Sequence, residues 1–348
     1  MATLPGTRVV TFGEIMLRLA SADGIRLAAS RTLDATFGGG EANVAISLAR
    51  LGVDAAFVTA LPDNDLGDAA RHFLAGHGVD VTGVTTRPGR LGIYFLEPGA
   101  AQRPSRVLYD RSESSFAQSG PGDFEWGSLL AGATWFHTTG ITPALSASAA
   151  QAAIAGARAA RAAGATVSVD LNYRAKLWKW GKPAGDVMAE LVAEADVLIG
   201  NEEDADKVFG IRAEGTSVSD GRVESAGYAD VAAQLASRFP RLRAIAFTQR
   251  GSISASENTW SGVLWTPDSF VVARTWRITP IIDRVGAGDA FAAGLIAALI
   301  DGRGPSDAIE FAVAAGCLKH SLRGDVNLVS RAEVEALAGG SGAGRVER

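Results

Sequence analysis

The strongest constraint on this chain is an alternation. Short apolar runs, each bounded by breakers, keep giving way to alanine-rich helical stretches. The runs are RVVTF (8–12), AAFVTA (55–60), TWFHTT (134–139), TVSVDL (166–171), DVLIG (196–200) and AIAFT (244–248). Helical patterns cover 41–51, 66–76, 146–163, 184–194, 202–209 and 227–238. A strand that is apolar along its whole length is buried on both faces, which calls for helices above and below a parallel sheet. Right-handed crossovers then make a doubly wound, mostly parallel α/β sheet the expected fold. Ligands of such sheets lie beyond the carboxyl ends of the strands, so the residues after each run carry the functional expectations.

Two regions break the rhythm. Residues 14–37 and 91–111 hold strand-like pieces with no helix between them, and predict a small β lid beside the main sheet. A further antiparallel patch is expected over 252–275. With no internal repeat and no long linker, 1–348 is expected to form one domain, with a glycine-rich mobile tail over 339–348. A net charge of -5 and a pI near 5.5 leave no diffuse basic surface for nucleic acid. The single cysteine, Cys317, excludes an internal disulfide and a cysteine-rich metal cluster, and its flanks read as a packed helix interior. The four histidines show no HExxH spacing, which argues against zinc. The longest apolar stretch, AFAAGLIAALI, falls short of the ~20 residues that span a bilayer, and the first residues lack a leader's apolar region. A cytoplasmic protein without a membrane partner is the expectation.

Two glycine-rich helix starts carry the chemistry. In DRVGAGDAFAAGLIAAL (283–299), Gly286 and Gly288 let the backbone approach a ligand, and free N–H groups at the helix start favour an anion. Neither GxxxxGK[ST] nor GxGxxG is present, so such an anion hole lacks a built-in lysine. Asp289 falls in the first helical turn, where the helix dipole favours its ionised form. An ionised carboxylate there can take the proton of a hydroxyl that attacks phosphorus. Taken alone, the segment reads more readily as a tight turn with a first-turn carboxylate. In FGGGEANVAISLARLG (37–52), Gly38 and Gly39 lead into a helix whose first turn holds Glu41 and Asn43. That arrangement can press backbone and the Asn43 amide against a polyol, or simply punctuate the chain.

Together, GGG-E-A-N-x-A near the start and D-x-x-G-A-G-D-x-F-x-x-G near the end resemble the two signatures of the ribokinase-like (PfkB) family of sugar kinases. The resemblance covers nearly the whole chain, lid included. It implies phosphoryl transfer from ATP with Mg2+, with Asp289 as base and Gly286, Ala287 and Gly288 as the anion hole. The segments GIYFLEPGAAQRPSRVLYDRSESS, SVDLNYRAKLW, IGNEEDADKVFGI and TQRGSISASENTW resemble the branch acting on 2-keto-3-deoxygluconate. That branch implies a sugar-acid site lined by Gly38, Gly39, Asn43, Tyr94, Tyr109, Arg111, Arg174 and Asp289. Arginine suits a substrate carboxylate because its guanidinium pairs in a bidentate fork, and tyrosine can donate to hydroxyl or keto oxygens. The galactonate epimer, fructose, ribose, and a regulator on a kinase fold without turnover are the alternatives.

On the nucleotide side the resemblance implies Asn201, Thr248, Gly251, Gly286 and Gly288. The family's N-x-x-E reads Asn201 to Asp204 here, so magnesium falls to Asp204 through one more water, or to Glu203. An acidic helix start explains the same residues. The usual T-x-G reads Thr248-Gln249-Arg250-Gly251, and Arg284 replaces a threonine, pointing either at the phosphates or at solvent. The segment EFAVAAGCLKHSLRGDVN is expected to close over adenine, with Gly316 admitting the flat ring. By resemblance alone, Asp283 is a candidate for a monovalent cation, K+, and the chain for a homo-oligomer joined through lid edges.

Overall fold

The computed structural model describes residues 6–212 and 225–341, so most of the expected tail and the first five residues lie outside it. Its strands are β1 (Arg8–Phe12), β2 (Met16–Ala20), β3 (Asp34–Gly38), β4 (Asp54–Leu61), β5 (Val84–Thr86), β6 (Gly92–Glu97) and β7 (Arg106–Asp110). They continue as β8 (Trp135–Thr139), β9 (Thr166–Asp170), β10 (Val197–Gly200), β11 (Ala244–Ser254), β12 (Glu257–Thr266), β13 (Ser269–Val272) and β14 (Trp276–Ile278). The helices are α1 (Gly40–Arg50), α2 (Asp65–Gly76), α3 (Trp126–Leu129), α4 (Ile141–Leu145), α5 (Ala147–Ala162) and α6 (Ala184–Val192). After them come α7 (Glu202–Phe209), α8 (Ser225–Arg238), α9 (Ala287–Ile300), α10 (Pro305–Lys319) and α11 (Arg331–Ala338).

The main sheet has the order β13-β12-β11-β10-β9-β8-β1-β4-β5, with β14 beside β12. Every pairing from β5 across to β11 is parallel. Only β12, β13 and β14 run antiparallel, where the 252–275 patch was expected. All six apolar runs became strands of this sheet. The three-residue β5 has no counterpart among them, because it is too short to show a period.

Successive residues of β1 explain why those runs are apolar throughout. Val9 joins the cluster beneath α1, α9 and α10, while Val10 and Phe12 join the one beneath α5, α6 and α8. The alanines of α9 let it lie close to α10, and a Cβ on Gly294 would press on Ala312 and Ala315. Buried on nearly all sides, α9 is held rigidly, and so is the phosphate-binding candidate at its start.

The two excursions expected to form a lid make a separate sheet of order β3-β2-β6-β7. Met16, Arg18 and Ala20 alternate onto its inner face, whereas β7 is exposed along its length. No helix among the described residues is long and apolar enough to cross a membrane.

Candidate active site

The two glycine-rich helix starts meet beyond the carboxyl ends of β8, β9 and β10. Asp289, the third residue of α9, accepts a hydrogen bond from Asn43 Nδ2 at 2.7 Å. Asn43 Oδ1 in turn accepts the Gly39 N–H at 3.3 Å. Glu41 is buried, and its Oε1 accepts from the N–H of Thr139, from its hydroxyl, and from the Thr142 hydroxyl at 2.8–2.9 Å. These bonds clamp the start of α1 to the end of β8. Asn43, expected to hold a polyol, therefore holds the proposed base.

Gly286 caps α9 with φ +82°, a conformation in which a Cβ would run into the Asp325 carbonyl oxygen. The N–H groups of Gly288 and Asp289 have no partner among the described residues, as expected at a helix start open to an anion. Ala287 is buried, and Gly288 is exposed with open space where a side chain would stand.

Two cavities share a wall at this point. One, of about 310 Å³, lies under the lid and is lined by Gly39, Asn43, Tyr94, Tyr109 and Arg111. The other, of about 250 Å³, lies over the ends of β9, β10 and β11 and is lined by Asp170, Asn201, Glu203, Asp204 and Thr248. Asn172, Arg174, Arg250 and Asp289 border both. Arg174 Nη1 donates to the Tyr173 carbonyl at 3.0 Å, and no carboxylate among the described residues pairs with it. The Arg250 side chain makes neither hydrogen bond nor ion pair among the described residues. Sequence reasoning noticed Arg250 only as a displaced glycine. Its position just past the parallel part of β11 was the available signal.

The electrostatics correct one expectation. Burial, more than any neighbour, raises the pKa of Asp289 to about 7. The Asn43 hydrogen bond and Arg174 oppose that rise, while Asp325 and Glu41 add to it. The helix dipole does not win here, because desolvation of a carboxylate outweighs a partial charge. Asp170, which the sequence did not single out, is raised further, to about 8, by burial and then by Asp204 and Asp289.

Several expected ligands are committed to the protein itself. Arg111 is buried, and its Nε donates to Glu14 Oε2 at 2.7 Å, with Nη2 reaching the same oxygen. Ser114 donates to the other Glu14 oxygen. Arg111 thus lines the cavity with its charge already answered, because a buried guanidinium without a counter-ion is too costly. The Tyr94 hydroxyl likewise donates to Asp325 Oδ2 at 2.5 Å instead of facing a substrate. Tyr109, 40% exposed, keeps its hydroxyl free of protein partners among the described residues. Gly38 lies behind the site rather than in it, where a Cβ would strike the Asp325 carboxylate. A Cβ on Gly39 would strike the Glu14 carbonyl oxygen.

Arg18 and Tyr94 of the lid both reach Asp325, and Arg18 also pairs with Asp283 at 2.6 Å. The resemblance placed K+ at Asp283, but the residues there do not fit it. The Asp283 carboxylate accepts from Arg18, Gly324 N–H and Val285 N–H, and its carbonyl accepts from Lys319 Nζ at 3.3 Å. Arg284 is half-buried and borders the cavity under the lid. Its Nη2 clasps the carbonyls of Ser254 (3.0 Å) and Ala255 (2.7 Å) at the β11–β12 turn.

On the nucleotide side, Asn201 and Asp204 form a reciprocal cap at the start of α7. Asn201 Oδ1 accepts the Asp204 N–H at 2.9 Å, and Asp204 Oδ2 accepts the Asn201 N–H at 3.2 Å. The other Asp204 oxygen accepts the Tyr173 N–H at 3.1 Å. Glu203 is exposed at the cavity rim. A donor set of carboxylates and an amide oxygen fits magnesium held largely through waters. Gly251 departs from expectation: it pairs with Thr259 inside the β11–β12 hairpin and borders neither cavity. Gly316 does admit a flat ring, but that ring is the indole of Trp260, which a Cβ would meet at 2.7 Å. Cys317 packs within α10 as expected.

Comparison with known proteins gives one consistent result. The model of the pfkB family carbohydrate kinases matches residues 6–331. The chain is 32% identical to a 2-dehydro-3-deoxygalactonokinase of Haloferax volcanii, over 97% of its own length and 98% of that protein's. It is 28% identical to a 2-dehydro-3-deoxygluconokinase of Bacillus subtilis, with 91% of each covered. The crystal structure of a 2-dehydro-3-deoxygluconokinase from Thermotoga maritima superposes with a TM-score of 0.92 at 43% identity, covering 98% of this chain and 100% of that one. A match of this length, on this fold, makes the chain a member of the pfkB family of carbohydrate kinases.

Proposed function

We propose that this carbohydrate kinase transfers the γ-phosphoryl group of ATP to the terminal (6-) hydroxyl of 2-keto-3-deoxy-D-gluconate. The observation that carries the reading is the shared wall: Asp289 borders both cavities, with Arg174 and Arg250 beside it. The sugar acid would lie under the lid and ATP over the ends of β9 to β11. Arg174, which pairs with no carboxylate among the described residues, would take the substrate carboxylate, a role Arg111 cannot fill while Glu14 neutralises it. Tyr109 would cover the carbon chain.

The substrate hydroxyl oxygen attacks the γ-phosphorus as its proton passes to the Asp289 carboxylate. The bond from that phosphorus to the β–γ bridging oxygen breaks, releasing ADP. The free N–H groups of Gly288 and Asp289 would receive the charge on the transferring group. Asn201, Glu203 and Asp204 would hold Mg2+ through waters, and the ion would neutralise phosphate charge. The lid would keep out water that otherwise hydrolyses ATP. The exposed β7 edge supports a homo-oligomer joined through the lid.

The Haloferax relative favours a second reading, in which the substrate is the galactonate epimer. An ADP-release assay with both epimers, fructose and ribose separates these readings. The expected outcome is a preference for the 2-keto-3-deoxy acids. In Arg174→Ala, KM for the acid rises by roughly 10- to 100-fold, as for loss of a charged hydrogen bond. In Asp289→Asn, kcat falls by at least about 100-fold with little change in ATP affinity. Equal turnover of fructose, or a near-normal Asp289→Asn enzyme, refutes the reading.

A further inference from the structure

Among the described residues, Lys319 is the most deeply buried charged side chain that the proposed mechanism leaves without a task. Its exposure is 0%, it ends α10, and its Nζ donates to the Leu322 carbonyl at 3.1 Å and to the Asp283 carbonyl at 3.3 Å. No carboxylate among the described residues pairs with it directly. Burial lowers its pKa and the nearby Arg18 adds to that, with the fields of Asp283, Asp325 and Asp289 offsetting only part of the fall. An ammonium ion in that setting is costly, so its placement calls for a reason.

The two carbonyls it joins belong to the two segments that shape the anion-binding turn. Asp283 opens the loop leading to Gly286. Leu322 leads to Asp325, whose carbonyl oxygen packs directly against Gly286. The same loop is held from the other side by Arg18, which spans Asp283 and Asp325. Every oxygen of Asp283 accepts from a protein donor, with the Arg18 guanidinium on the carboxylate and the Lys319 ammonium on the carbonyl, so a solvent cation there would meet two positive charges already in place.

We infer that the Lys319 ammonium is a tethered monovalent cation for the phosphate-binding turn, so that this kinase needs no potassium. A positive charge bridging backbone carbonyls holds the loop as a bound ion would, without an ion having to be captured from solution. Lys319 is a positioning residue: it touches no substrate and acts through the 283–288 loop. The inference rests on the proposed role of that loop in receiving the phosphoryl group.

The test exchanges KCl for choline chloride at constant ionic strength. For the wild-type protein, turnover is expected to change by less than about twofold, and the thermal midpoint to stay fixed, since an unbound ion contributes no stabilisation. Activation by potassium, or a potassium-specific rise in the midpoint, overturns the inference. The Lys319→Met variant is expected to lose at least about tenfold in kcat in choline, with a smaller change in the KM for ATP. Potassium or ammonium should restore several-fold of that loss. Full activity of the variant in choline, or a folded variant that neither ion rescues, overturns the positioning role. The thermal measurement needs no turnover, so it still decides the matter if the substrate screen finds no accepted sugar. That second result would count against the proposed reaction alone.

Discussion

Asp289 can act as a base only when ionised, and burial has raised its pKa to about 7. The Asn43 amide, 2.7 Å away, works in the opposite direction by donating to the charged form. A hydrogen bond to a charged group is worth roughly 1.5–3 kcal/mol. At about 1.4 kcal/mol per unit, deleting the amide in Asn43→Ala raises the Asp289 pKa by about one to two units. The pH profile of kcat/KM reports ionisation in the free enzyme, so its acidic limb should move from about 7 to about 8–9. At pH 7 the ionised fraction then falls from about a half to about 1–10%, a loss of roughly 5- to 50-fold that disappears near pH 10. The assay is ADP release at subsaturating sugar acid across that range, with the thermal midpoint as a folding control. If the limb stays near 7 while the KM for the sugar rises, Asn43 contacts the substrate and does not tune the base, and the reasoning fails.

Gly286→Ala forces a Cβ into the left-handed region and against the Asp325 carbonyl oxygen. The expected cost is about 1–3 kcal/mol of stability, with at least a tenfold fall in kcat, and an unchanged melting curve and rate would contradict the account of the turn. Glu14→Gln leaves the buried Arg111 charge unanswered and should cost about 3–5 kcal/mol in urea unfolding, much of it recovered in Glu14→Gln/Arg111→Met. A single Arg111→Met that raised the KM for the sugar acid more than Arg174→Ala, while keeping full stability, would instead restore Arg111 as the carboxylate ligand.

The periodic part of the fold was legible in the sequence because burial on both faces leaves an unbroken apolar run, and each such run became a strand of the main sheet. The glycine-rich helix starts were legible too, since a tight backbone approach needs glycine locally. What could not be read was partner choice. Arg111 and Glu14 are 97 residues apart, and Tyr94 and Asp325 are 231 apart. No local spacing says that these charges and hydroxyls satisfy each other before any ligand arrives. Gly316 misled for a similar reason: a missing Cβ shows that something flat comes close, but not whether it is adenine or Trp260. For Asp289 the helix dipole was visible from sequence, whereas the larger effect, loss of water, exists only once the chain has folded.

The contact between Arg18 and Asp325 spans 307 residues, nearly the length of the chain. At synthesis rates of about 5–20 residues per second, the lid strand carrying Arg18 leaves the ribosome roughly 15–60 s before its partner exists. Over that interval a side chain destined to be almost wholly buried must stay in water, and the inner face of the lid has nothing to close on. The nascent protein therefore cannot seat its lid early, and truncated products lacking the last segment should lack an ordered phosphate-binding turn as well. In this chain the site can close only after the segment carrying Asp325 has been made.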